Sequence, residues 1–274
     1  MRPDFGRTAA DYASHRAGFP DELFRRLEGL GVGLAGQRLL DLGTGSGALA
    51  RVFARRGCRV VGLDVSPELI REAERLDAEV GVRVRYVVAA AEATGLPDGA
   101  FDAATAAVCW HWFDAPRASA EVRRILVPGG RLAIVHFDWL AEAGGVVEAT
   151  ETLIRRNAGG RWKHDALGIA RRALARFRPF ARLRDGAGLY PDRLITLAAA
   201  GFGSLESFSF DTLVPYSHEA WRGRIRSHAE VGASLGPERV ARLDAELQRI
   251  LRERHPQEPL RVPHRIFVVI GRAP

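Results

Sequence analysis

Within LLDLGTGSGALA, the acid Asp41 is followed by three glycines at alternate positions, Gly43, Gly45 and Gly47, with Thr44 between the first two. Glycine lets a backbone turn tightly and approach a ligand closely. The run leads into a helical pattern whose first N–H groups lack intrahelical partners and favour electron-rich atoms. Asp64 comes 21 residues after Gly43, at the end of the next apolar run, where a carboxylate can accept both hydroxyls of a ribose. The chemistry indicated is nucleoside binding. At this level two ligand classes fit, because GTGSGA also satisfies the dinucleotide fingerprint G-x-G-x-x-G/A. Asp41 adds a further carboxylate beside the loop, suited to a cationic group.

Further along, VCWHWFD (108–114) holds His111 between Trp110 and Trp112, RLAIVHF ends on His136, and His228 lies later in the chain. Histidine is the side chain best matched to proton transfer near neutral pH. His111 is the leading candidate for a base or an orienting residue, and His136 can face the same pocket. Trp110, Trp112, Trp139 and Trp162 are candidates to wall an acceptor pocket. Arg222 and Arg226 in WRGRIR stand at i and i+4, where they can clamp an anion. Each has a plainer alternative: a strand-to-helix turn for the glycines, a partner of Ser66 for Asp64, a solvated acid for Glu92, a core histidine for His136, a solvated helix face for the arginines. No grouping has metal-ligand spacing, so no metal is expected.

The elements that must position these groups alternate. GQRLLDLG reads as a buried strand and SGALARVFARRG as an amphipathic helix stopped by Gly57. CRVVGLDV is a second strand. Ser66 then caps the helix SPELIREAERLDAEV, with Pro67 in its first turn. VRVRYVVAA, AFDAATAAV and RLAIVHF follow as strands, with the helix APRASAEVRRIL before the last. This rhythm predicts right-handed crossovers and a parallel sheet covered on both faces. After Phe137 it breaks into an arginine-rich helical insertion over 139–190. PDRLITLAAAG is then a helix, 203–213 a strand, 217–255 two helices and HRIFVVIGR a closing strand that must run antiparallel. Both helical stretches leave from the carboxyl edge of the strands, where open α/β sheets bind ligands, and are expected to form a cap. The divisions expected are N-terminal cover helices over 1–35, a cofactor-binding α/β core over 36–138, the cap insertion over 139–190, and core completion over 191–274 with a second helical insertion at 214–258.

The 274 residues, 47% of them hydrophobic, suffice for such a core and exclude a disordered chain. No apolar run approaches the roughly 20 residues of a membrane span. The opening residues have no apolar segment of a secretory signal, and two cysteines make no disulfide framework. The expectation is a soluble cytoplasmic protein, monomeric or homodimeric. A net charge of +7 raises the question of nucleic acid. However, Lys163 is the single lysine, and arginines interleave with 33 acids, a pattern of solvated helix faces. A nucleic-acid partner is therefore not expected.

In register and order, the glycine loop with Asp41 and Asp64, AAEATGLPDGAFD after the third strand, and RILVPGGRL before the fifth resemble the class I S-adenosylmethionine-dependent methyltransferases over residues 36–137. The opening FGRTAADYASHRAGFP and VCWHWFD resemble a small-molecule branch related to trans-aconitate-type enzymes. The resemblance implies an α/β fold, a Rossmann-like seven-stranded sheet with helical cap insertions, and methyl transfer to a small-molecule acceptor (carboxylate, hydroxyl, amine or carbon) whose reacting atom (oxygen, nitrogen, carbon or sulfur) stays open. It implies that Asp41, Gly43, Thr44, Gly45 and Gly47 surround the methionine part of S-adenosylmethionine. Asp64 holds the ribose, Val65, Ala91 and Glu92 border the adenine, and Ala107 and Val108 line the floor near the sulfonium. Tyr12 and Arg16 fold over the cofactor. Ala90 departs from the pattern, since many relatives carry an acid there. A nucleic-acid methyltransferase and a non-catalytic cofactor-binding protein are the alternatives. The first lacks its Asn/Asp-Pro-Pro-aromatic motif, CWHWF standing in that place.

Overall fold

A computed structural model describes residues 18–157, 188–228, 230–232 and 234–274. The expectations for Tyr12, Arg16 and Trp162 fall outside these residues. The chain divides into two compact units. Among the described residues, one holds 18–137, 190–210 and 266–274, and the other 138–157, 188–189 and 211–265.

In the larger unit, helix α1 (Asp21–Gly29) precedes strand β1 (Arg38–Leu42). Then come α2 (Ala48–Arg55), β2 (Arg59–Asp64), α3 (Pro67–Glu79), β3 (Arg85–Val88) and β4 (Phe101–Ala107). A 3-10 turn at Trp110–Trp112 leads to α4 (Ala115–Ile125) and the long β5 (Leu126–Trp139). The alternating apolar runs of the sequence thus become strands, and helices start where capping residues allow. Ser66 Oγ accepts the Leu69 N–H at 3.3 Å and Asp114 Oδ1 that of Arg117 at 3.2 Å, each satisfying a donor the first turn leaves open.

Later elements are α5 (Val146–Asn157), α6 (Asp192–Ala199), β6 (Gly203–Tyr216), α7 (His218–Arg226), α8 (Pro237–Arg254) and β7 (Leu260–Arg272). The seven strands form one mixed sheet in the order β3-β2-β1-β4-β5-β7-β6. Registers place Leu42 opposite Leu63, Asp64 opposite Val88, and Ala107 opposite Val135, so the C-terminal ends of β1, β2, β4 and β5 share one edge. Four strands differ most in length from the sequence reading, β5 starting at Leu126 rather than Arg131. β3 is confined to four residues because the flanks of VRVRYVVAA leave the ladder, and β6 and β7 are longer than their apolar cores.

One face of the sheet is covered by α1 and α2. Leu23, Phe24 and Leu27 of α1, and Leu49, Ala50 and Phe53 of α2, pack with Leu39, Val60, Ala103 and Val135 in one buried cluster. Burying such side chains stabilises by about 1.5–3 kcal/mol each before entropy is subtracted.

Among the described residues, the helices of the smaller unit are α5, α7 and α8. Trp221 on α7 is fully buried and donates through Nε1 to Thr150 Oγ1 on α5 at 3.0 Å. Leu243, Leu247 and Leu251 form the buried stripe of α8.

Candidate functional site

The glycine loop between β1 and α2 is held from three directions. Asp41, 1% exposed, accepts from the Thr44 and Thr105 hydroxyls, both at 2.7 Å. Burial pushes its carboxyl up to about 6, partly offset by those two hydroxyls. The carboxylate suited to an open cationic group is thus a buried fastener beneath the loop, with both oxygens engaged. Asp64, at the end of β2, accepts the N–H of Gly45 through Oδ2 and that of Ser66 through Oδ1, both at 2.9 Å. It joins the loop after β1 to the start of α3, so the partnership with Ser66 weighed on sequence and a place beside the loop hold together. Burial raises its carboxyl above the ordinary range, against the backbone N–H groups that lower it.

The third direction carried no sequence signal. Arg51 on α2 donates to the Ser46 carbonyl at 2.9 Å and to Asp77 on α3 at 2.6 Å, and Tyr86 on β3 donates its hydroxyl to Asp77 at 2.8 Å. Asp77 is 4% exposed. A buried chain from β3 through α3 and α2 therefore fixes the carbonyl between Gly45 and Gly47. Periodicity alone reads these residues as ordinary helix and strand positions.

The loop's backbone shows why glycine stands there. Gly43, Gly45 and Gly47 have φ of 58°, 57° and 74°, the left-handed region that side chains resist. A Cβ on Gly43 would lie 2.8 Å from Cys109 Sγ. The loop thus presents bare backbone, and a side chain at Gly43 or Gly47 would run into Cys109 or Tyr86. Cys109 donates its thiol to the Leu42 carbonyl at 3.1 Å, and burial pushes the thiol well up.

Of the residues expected to border an adenine, Val65 is 59% exposed beside Asp64 and Ala91 is buried. Glu92 accepts the N–H of Asp114 at 2.8 Å, which gives this loop acid a structural task. Val108, just past β4, has φ of 55°, unusual for a β-branched residue. Its N–H donates to the Val135 carbonyl at 2.8 Å, and strain of this kind gathers at functional sites. No sequence pattern announces it.

On the acceptor side, Trp110 is 1% exposed with its Nε1 unbonded, and Trp112 is 39% exposed. His111 is exposed, its ring 4.8 Å from that of Trp112. His136 is 3% exposed and stacks on Tyr190 with centroids 3.6 Å apart. Burial holds its imidazole well below 6.5, and the charges of Arg193 and His111 add to this. Tyr190 and Arg193 were not singled out from the sequence, since nothing local marks a partner of His136 more than fifty positions away.

In the other unit, Trp139 packs against Trp221 and stacks on His228, both at 5.4 Å, and donates to Glu151 at 3.1 Å. The anion clamp expected of Arg222 and Arg226 meets a competing fact. Both guanidinium groups bind Asp244, and both bind Glu219. The i, i+4 geometry is present but satisfied by acids of this unit. Among the described residues no cluster of histidine, cysteine or acids could hold a metal ion, and no helix is long and apolar enough to cross a membrane.

Against known proteins, residues 40–134 match the family model described as a methyltransferase domain. The chain is 42% identical over 116 residues to a demethylmenaquinone methyltransferase of Thermus thermophilus, across 41% of this chain and 53% of that protein. It thus spans about half the length of that relative. A malonyl-[acyl-carrier protein] O-methyltransferase of Serratia marcescens is 30% identical over 193 residues, across 70% of this chain and 68% of its own. Among solved structures, a candidate type II methyltransferase from Anaeromyxobacter dehalogenans superposes with a TM-score of 0.57 at 27% identity, covering 94% of this chain and 98% of that one. With the motif order and the seven-stranded sheet, these similarities place the chain in the class I S-adenosylmethionine-dependent methyltransferase family.

Proposed function

We propose that the protein transfers a methyl group from S-adenosylmethionine to a small-molecule acceptor. The observation that carries this reading is the bare, left-handed glycine loop clasped by Asp64 at the edge where β1, β2, β4 and β5 end. The left-handed backbone at Gly43, Gly45 and Gly47, with Thr44, suits the methionine portion of the donor. Asp64 suits the ribose hydroxyls, with Val65, Ala91 and Glu92 around the adenine, and Ala107 and Val108 beneath the sulfonium. When bound, the donor supplies an electrophilic methyl group on a cationic sulfur. The chain's task is to hold an acceptor in line and close, which accounts for most of the acceleration in such displacements. His111 serves as base or orienting group for an acceptor that must lose a proton, and a neutral His136 can give or take a hydrogen bond there. Trp110 and Trp112 belong to the acceptor wall in this reading. The division into an α/β core over 36–138, completed by 191–274, and helical insertions is part of the same reading. So are a monomer or homodimer and a cytoplasmic setting, the two free, buried cysteines agreeing with a reducing compartment.

Calorimetry with S-adenosylhomocysteine tests it. Binding is expected in the wild type, and Asp64→Ala is expected to weaken it by about tenfold or more, the worth of charge-assisted hydrogen bonds to two hydroxyls. A wild-type protein that folds and takes up neither S-adenosylmethionine nor its product would refute the proposal.

A further inference from the structure

Resting on the methyltransferase reading, we infer that His136, Tyr190 and Arg193 form a recognition site for a carboxylate carried by the acceptor. Two buried nitrogen atoms of this cluster have no protein partner: His136 Nε2 and Arg193 Nε. Buried polar atoms are ordinarily satisfied, and an orphan in a native site is one that water, an ion or a ligand can take up. Both groups meet the same ring. The His136 imidazole stacks on Tyr190 at an interplanar angle of 15°, and the Arg193 guanidinium carbon lies 5.8 Å from the Tyr190 centroid. Tyr190 is steadied by Phe267, centroid 6.1 Å away.

The edge selects the ligand. Arg193 Nη1 pairs with Asp192 at 3.0 Å, and Asp192 is 62% exposed, so that pairing is well solvated and leaves the buried Nε without a partner. The Nε side of a guanidinium is built for a carboxylate. His136 in its Nε2–H form donates a second hydrogen bond without bringing a second charge. A neutral polar group would satisfy the same atoms but add no counter-charge beyond the solvated one of Asp192. An anion satisfies both. His136 directly follows Val135, whose carbonyl takes the N–H of strained Val108, so the cluster stands at the ends of β4 and β5. The surface depression lined by Pro128, Gly129, Gly201 and Arg272 lies toward the other end of β5 and contains none of these groups.

The test uses the full chain saturated with S-adenosylhomocysteine and two isosteric probes, benzoate and benzamide, titrated by calorimetry. Wild type should bind benzoate at least about tenfold more tightly than benzamide, the effect of one desolvated charge pair. Arg193→Gln should abolish that preference with S-adenosylhomocysteine affinity within about twofold of wild type. The charge control Arg25→Gln, far along the sequence on α1, should leave both probes unchanged. Equal binding of the two probes, no benzoate binding below about 10 mM, or a preference that survives Arg193→Gln would overturn the inference. If Arg193→Gln does not fold, Arg193→Met takes its place with the same expected loss of preference. Failure of the wild type to bind S-adenosylhomocysteine would strike the methyltransferase reading instead, and so the two failures are distinguishable.

Discussion

At the scale of single residues, the loop after β1 is governed by what cannot be added to it. Gly43 combines a φ of 58° with a Cβ position 2.8 Å from the Cys109 sulfur. The left-handed backbone alone costs a side chain about 1–2 kcal/mol, and the contact adds to this because the sulfur is anchored on Leu42. Gly43→Ala is expected to lower unfolding stability by about 2 kcal/mol or more and to weaken S-adenosylhomocysteine binding. Chemical denaturation and calorimetry on the same sample check both, and an unchanged midpoint would show that the loop relaxes freely. Spacing alone makes three glycines before a helix legible in the sequence, because the constraint is local. The buried burden on Asp41 is not legible, because it depends on Thr105 from another strand.

At the scale of elements, caps and crossovers follow from short-range rules, and those readings correspond closely to the observed helices. Ser66 with Pro67 starts α3 as expected. Side chains that join elements escape such rules. Arg51, Asp77 and Tyr86 lie on α2, α3 and β3, and nothing in their own neighbourhoods distinguishes them from surface-helix charges and a strand aromatic. The pairing of His136 with Tyr190 across the segment after β5 is hidden for the same reason. The Arg51–Asp77 pair is well shielded, at 14% and 6% side-chain exposure. Removing one partner from a pair of this kind costs about 3–5 kcal/mol, since a buried charge is stranded. Arg51→Met should therefore lower stability by about 3 kcal/mol and loosen the Ser46 carbonyl, with a fall in S-adenosylhomocysteine affinity. Asp77→Asn in the same background should restore part of the stability, because it removes the stranded charge. Thermal melts of the single and double variants decide this. Simple additivity would mean that the two side chains do not act as a unit.

At the scale of the whole molecule, buried titratable groups set the response to pH. Burial lowers His264 to about 4 and holds His136 well below 6.5. Unfolding restores ordinary imidazoles that bind protons more readily. Their contribution to stability is therefore complete above about 6.5 and is lost as pH falls toward 4. Buried Asp41 acts in the opposite sense. Raised to about 6, it binds more protons folded than unfolded between 3.8 and 6, and it lowers stability as pH rises through that window. His264 alone accounts for about 3 kcal/mol over its range, so the two histidines taken together prevail over Asp41. The melting temperature should fall between pH 7 and pH 5, and His264→Gln should flatten that slope. A melting temperature that rises on acidification would show Asp41 to dominate.

The sheet order also has a temporal meaning. β7 lies between β5 and β6, although it is synthesised after both. As the nascent polypeptide leaves the ribosome, β6 has no backbone partner to zip against until the segment beyond Pro259 has emerged, and its amides stay wet or seek a stranger. Ribosomal pauses or proteolytic nicks ahead of that segment would strand an adhesive ribbon, and chaperone dependence should concentrate in that interval.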